Sequence, residues 1–252
     1  MARRPPERDV APTVQRLRIH YAKRGRLRFS SHRDFQRALE RALRRAQVPM
    51  AYSAGFSPHP KISYANSAPT GVASEAEYVE IGVTVECDPN RMRTALDEAL
   101  PPGLDVVEVV QARTPDFVQR LEASSWQFEV PGVSLDALTG CVEALLAATT
   151  IEVERLTKSG LRRFDARVAV VTMSAVGAHD APLTSVLADC AIITAVVRHV
   201  TPSVRPDDVL AALRRVADLV PPVPPRVTRL AQGPLNPVTA TVGDPFAPDR
   251  SA

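Results

Sequence analysis

The stretch Gly55-Phe56-Ser57-Pro58-His59-Pro60-Lys61 concentrates groups able to act on a phosphate. Prolines on both sides restrict the backbone around His59 and favour an extended, presented arrangement. Residues two apart in an extended segment share a face, so Lys61 falls on the side of His59. An imidazolium and an ammonium there would donate to phosphate oxygens, and His59 near neutrality is also able to move a proton. A Pro-His-Pro turn that merely closes a loop, with His59 bonding backbone, accounts for the same residues. Three chemistries stay open. As a binding protein, the chain uses Arg26, Arg33, Arg37, Arg41, Arg44, Arg45 and Lys61 on phosphates, with Tyr52, Phe56 and His59 lining a recognition loop. As a metal-independent endoribonuclease, it uses His59 or His32 as general acid/base, with Tyr52 assisting and Lys61 stabilising the pentacovalent phosphate. As a scaffold, its arginine row meets an acidic protein. The non-catalytic RNA-binding or substrate-presenting reading leads.

The arginines sit where a helix must carry them. Ser31 is a suitable N-cap, with Asp34 three residues on. Phe35, Ala38, Leu39, Ala42, Leu43 and Ala46 form an apolar stripe that Val48-Pro49 ends. Arg33, Arg37, Arg41 and Arg45 recur every fourth residue on the other side, and Arg44 broadens the row. Between Val14 and Arg45 there are 11 basic and 2 acidic side chains, the electrostatic footprint of a polyanion partner or of a solvated face. The whole chain carries only +3, because residues 101–252 hold 14 Lys and Arg against 17 Asp and Glu. Seven of the twelve aromatic residues lie in the first 80, among them Phe29 and all four tyrosines. Aromatic planes among basic groups suit single-stranded RNA, although aromatics on strands are also ordinary core.

Around that helix the pattern is regular. Val14–Lys23 alternates as a half-buried strand. Lys23-Arg24-Gly25-Arg26 is a basic turn with Gly25 free to take positive φ, and Leu27–Phe29 reads as extended. Short strand pieces flank the loop at 50–52 and 62–65. Glu77–Glu86 is a strand, Asp88–Leu100 a helix opened by Asp-Pro, and Leu104–Val110 a strand. The order repeats from Trp126, with helices at Ser134–Thr149 and Pro206–Leu219 and strands at Ile151–Leu156, Arg163–Ser174, Cys190–Val200 and Val227–Leu230. The expected fold is therefore α+β, two tandem ferredoxin-like domains of βαββαβ type with disordered termini. Residues 1–13 are expected as a tail, 14–112 as the first domain, 113–125 as a connector, 126–231 as the second domain and 232–252 as a Pro-rich tail.

Several functions are excluded or disfavoured. Cys87, Cys141 and Cys190 are too far apart for a zinc or iron–sulfur site, and their odd number argues against a disulfide framework. Glu75, Glu77 and Glu80 have no nearby His or Asp, so salt bridges to basic groups near the helix are expected rather than a metal. No cofactor is expected. No apolar run approaches the roughly 18 residues of a membrane span, and the charged start does not read as a secretory signal, which points to the cytoplasm. In the second half, Lys158–Arg167 looks like a basic hairpin. There Asp165 and Arg167 form either a cross-strand ion pair or part of a second contact surface.

Leu27–Asp34, Arg41–Ala46, Gly55–Lys61, Pro69–Gly71 and Ser74–Tyr78 occur in an order that resembles the bacterial radical-SAM-linked proteins, whose domain is of unknown function. Lys158–Gly160 and Asp165–Arg167 look like that family's second-half motif, and the resemblance covers most of residues 14–200. It implies association with a radical SAM enzyme. This chain shows no such enzyme domain and no cluster-binding cysteines, so a separate enzyme is the implied partner, beside RNA. The fold order and the His, Lys, Tyr and Arg set are also distantly similar to CRISPR-RNA-processing endoribonucleases, an analogy at the level of the fold.

Overall fold

A computed structural model describes residues 10–158, 160–183 and 190–251. The protein is mixed α+β, with five α-helices among the described residues. It divides into two compact units, Met1–Val118 together with Phe246–Ala252, and Gln119–Pro245.

The first unit runs β1 (Gln15–Lys23), α1 (His32–Arg45), β2 (Ile62–Ala65), β3 (Ala73–Val83), α2 (Pro89–Ala99) and β4 (Leu104–Gln111). Its strands are antiparallel in the order β4-β1-β3-β2, with Leu17 opposite Ile81 and Ile19 between Val79 and Val109. Both helices begin where the sequence places caps. Ser31 Oγ accepts from the Asp34 amide at 3.2 Å while Asp34 returns a bond to the Ser31 amide, and Asp88 accepts from the Arg91 amide at 2.8 Å. The apolar stripe of α1 closes over the sheet, with Phe35 stacked on Tyr21 at 4.2 Å between centroids. Gly103, at φ +94°, permits the tight entry to β4. A Cβ there would lie 3.0 Å from the Arg24 carbonyl oxygen.

Three expectations for this unit change. Leu27–Phe29 is not extended but belongs to a 3-10 turn, Gly25–Phe29, that Gly25 opens at φ +54°. The polar side of β1 is only partly a solvent face: Arg16 is exposed, but Arg18 is buried. The end of the chain supplies the reason for Arg18. Residues 232–252, expected as a disordered tail, continue as structure up to Ser251, and the last segment forms α5 (Ala247–Ser251) in the first unit. Phe246, 1% exposed, packs among Tyr78, Phe117 and His20. Asp249, 2% exposed, accepts from Arg18 and from the Arg113 and Thr114 amides. Arg18 also reaches Glu80 at 3.0 Å and the Thr114 carbonyl at 2.6 Å, so its buried charge is met on several sides. Of the expected N-terminal tail, residues 1–9 lie outside the described residues, and Thr13 is seated against Gly82 and Lys61.

The second unit runs β5 (Ala123–Pro131), α3 (Leu135–Ala147), β6 (Glu152–Thr157), β7 (Gly160–Asp165), β8 (Val170–Val176), β9 (Cys190–Arg198), α4 (Pro206–Ala217), β10 (Arg226–Gly233), β11 (Leu235–Asn236) and β12 (Thr241–Val242). Its antiparallel sheet has the order β10-β5-β9-β8, around a core that includes Phe128, Leu138, Leu145, Ile192, Ile193 and Leu213. The single strand expected over Arg163–Ser174 is two. A 3-10 turn at Arg167–Ala169 breaks it, so that β7 pairs with β6 in a separate hairpin while β8 joins β9. Asp165 fixes the break, accepting from the Ile151 and Arg167 amides at 2.9 Å each, while Arg167 donates to the Val170 and Leu146 carbonyls. Both residues thus bond backbone.

Candidate nucleic-acid interface

The loop around His59 is closed by backbone pairing. The Ala51 amide donates to the Gly82 carbonyl, Lys61 to Ala51, and Gly82 to Lys61, at 2.8–2.9 Å, which ties both arms of the loop to β3. Tyr52 lies opposite Pro60, and Ser53 shuts the mouth: its amide donates to the His59 carbonyl at 2.9 Å and its Oγ accepts the His59 amide at 3.1 Å. The backbone of His59 therefore does close the loop, and its ring is left exposed. Phe56 and Tyr52 are 54% and 42% exposed on the same loop. Lys61 is exposed, its ammonium donating to Thr13 Oγ1 at 2.9 Å. Tyr52, Phe56, His59 and Lys61 thus share one loop of fixed backbone.

On α1, Arg33, Arg37, Arg41 and Arg44 are exposed, and none of them closes an ion pair among the described residues. With a rise of about 1.5 Å per residue, Arg33, Arg37 and Arg41 follow one another at about 6 Å along the axis. Arg45 departs from this set, because its guanidinium donates to the Ala99 carbonyl at 3.1 Å and so finishes α2. Arg26 is exposed on the 3-10 turn. The rest of the basic turn is not available. Lys23, 5% exposed, donates to the Ala68 and Pro69 carbonyls, and Arg24 pairs with Glu75 and Asp105. Glu75 hydrogen bonds keep the Arg24 guanidinium firmly charged.

His32 stands at the start of α1, edge-on to Tyr64 at 4.8 Å, with Gln36 at 3.0 Å from Nε2 and Ser67 Oγ at 3.4 Å from Nδ1. Burial first, and then the nearby Glu40 charge, push the Tyr64 phenol up to about 12, so it is protonated and a donor at neutral pH. In the sequence Tyr64 stands out only as one of the clustered aromatics, because it reads as an ordinary strand residue. Phe29 is likewise one of that cluster with no role assigned from the sequence: it is 59% exposed, and the Arg28 guanidinium lies 4.6 Å from its ring centroid. Of the seven aromatics in the first 80 residues, Tyr21, Phe35 and Tyr78 are buried, and Tyr64 packs half-buried against the same core.

The acidic residues of β3 serve β1 and its turn rather than α1. Glu80 meets Arg18 and Arg16, Glu75 meets Arg24, and Glu77 accepts from the Ala68 amide. Among the described residues no group of three or more His, Cys, Asp or Glu is arranged to hold a metal ion. Burial raises the thiol pKa of Cys87, Cys141 and Cys190 alike. No helix among the described residues is long and apolar enough to cross a membrane.

A mixed α+β chain whose first unit presents exposed cations and aromatics is the class these features define. Residues 16–206 match the family described as an uncharacterised protein conserved in bacteria (DUF2344), and the chain belongs to that family. No curated protein matches it.

Proposed function

We propose that this protein is a non-catalytic RNA-binding or substrate-presenting protein of the cytoplasm, working beside a separate radical SAM enzyme that modifies RNA. The observation that carries the RNA reading is the exposed arginine set of α1, Arg33, Arg37, Arg41 and Arg44, none of which closes an ion pair among the described residues. Like charges at i, i+4 repel within a free helix, and phosphate would relieve that repulsion. Tyr52, Phe56 and Phe29 supply exposed rings on which bases stack. Each unit is read as ferredoxin-like, from strand orders β4-β1-β3-β2 and β10-β5-β9-β8, with β6–β7 inserted in the second.

The test is fluorescence-anisotropy binding of labelled single-stranded RNA over a salt series. Wild type is expected to bind with a steep salt slope, and R33E/R37E/R41E to lose binding while keeping its circular dichroism spectrum. Equal binding by both proteins, or none by either, overturns the reading. Integrity of the RNA is followed in chelator. Cleavage that disappears in His59→Ala would replace the binding role with the endoribonuclease.

A further inference from the structure

The second unit holds a basic cleft of about 670 Å³ between the β6–β7 hairpin and the segment that leads into α4. Four cations line it: Arg155, Lys158, Arg162 and Arg205. Arg155 and Arg162 are direct cross-strand partners, an arrangement that costs free energy unless an anion lies near. One buried carboxylate, Asp208, answers part of this charge. It accepts from Arg155 at 2.7 Å and from the Arg205 amide at 2.7 Å.

Arg155 is also fixed by the Ser203 carbonyl at 3.1 Å and by the Phe164 ring, 4.8 Å from the guanidinium carbon. Its position is thus set before any ligand arrives. Lys158, Arg162 and Arg205 close no ion pair among the described residues. Apolar groups line the cleft too: Leu156, 81% exposed, with Val200 and Pro202. This apolar lining next to Lys158 and Arg162 asks for a ligand with both anionic and apolar faces, and the cleft is larger than one phosphate needs. A nucleic-acid strand has both: phosphates for the cations and base or ribose faces for the apolar lining.

We infer that this cleft is a second RNA-phosphate site, built by the β6–β7 hairpin and separate in sequence and unit from the α1 surface. The inference rests on the RNA reading above. It is tested with the full chain and a fluorescein-labelled single-stranded RNA, comparing wild type, K158A/R162A, K158E/R162E and the α1 variant R33E/R37E/R41E. Both hairpin positions are exposed, and the alanine pair guards against misfolding caused by charge reversal. Loss of two phosphate contacts is expected to weaken binding about tenfold or more and to reduce the salt slope by about 1.4, with the circular dichroism spectrum unchanged. If both hairpin variants bind as wild type does while the α1 variant fails, the cleft site is overturned and the RNA reading stands. If wild type does not bind RNA at all, both fall.

Discussion

At the scale of single residues, the buried charges are the most informative. Arg18 looks like a surface residue of an alternating strand, yet it is 3% exposed and held by Asp249 and Glu80. Burial alone would raise the pKa of Asp249. Hydrogen bonds from the Thr114 hydroxyl and amide, with Arg18 beside it, instead bring it from 3.8 down to about 2. A carboxylate depressed in the folded state adds stability above its unfolded pKa and loses it as pH falls through the folded value. Wild type is therefore expected to lose part of its stability between about pH 4 and pH 2. Asp249→Asn should flatten that acid limb and cost about 3 kcal/mol at neutral pH, read by denaturant unfolding across pH. An unchanged acid limb would show that this carboxylate is not what titrates.

At the scale of elements, α1 joins folding to recognition. The stripe that buries Phe35, Leu39 and Leu43 fixes which side the arginines face, and the Ser31–Asp34 box fixes where they start. Ser31→Ala is expected to destabilise the protein by about 1 kcal/mol, measured by chemical denaturation. Gly103→Ala should cost more than 1 kcal/mol, because its backbone is at φ +94° and the added methyl would meet the Arg24 carbonyl oxygen. Helix and cap were legible from the sequence, since an i, i+3, i+4 stripe and a Ser-x-x-Asp start are local signals. The β6–β7 hairpin was legible only in part. Arg163–Ser174 reads as one strand, and the break at Ala166 depends on Asp165 finding the Ile151 amide, which lies 14 residues away.

At the scale of the whole molecule, the chain end belongs to the first unit. Phe246→Ala should destabilise that unit by about 3–5 kcal/mol, the usual cost of emptying an aromatic site. Hydrogen exchange is expected to show faster exchange of the β1 amides in that variant. If β1 protection is unaltered, the packing of Phe246 among Tyr78 and Phe117 contributes little.

The sequence by itself determined what is local: the order of the principal strands and helices, the caps of α1 and α2, the positive φ of Gly25, and the run of arginines beside a loop rich in aromatic and basic groups. These follow from periodicity and from backbone preferences that act within a few residues. Only the tertiary structure decided which cations are already met by partners within the fold. Lys23, Arg18 and Arg24 are taken up by Ala68 and Pro69, by Asp249 and Glu80, and by Glu75 and Asp105, partners 45 to 231 residues away. A proline-rich ending has the composition of a tail. Phe246 and Asp249 make it structure, because burial is settled by which distant surface a segment meets.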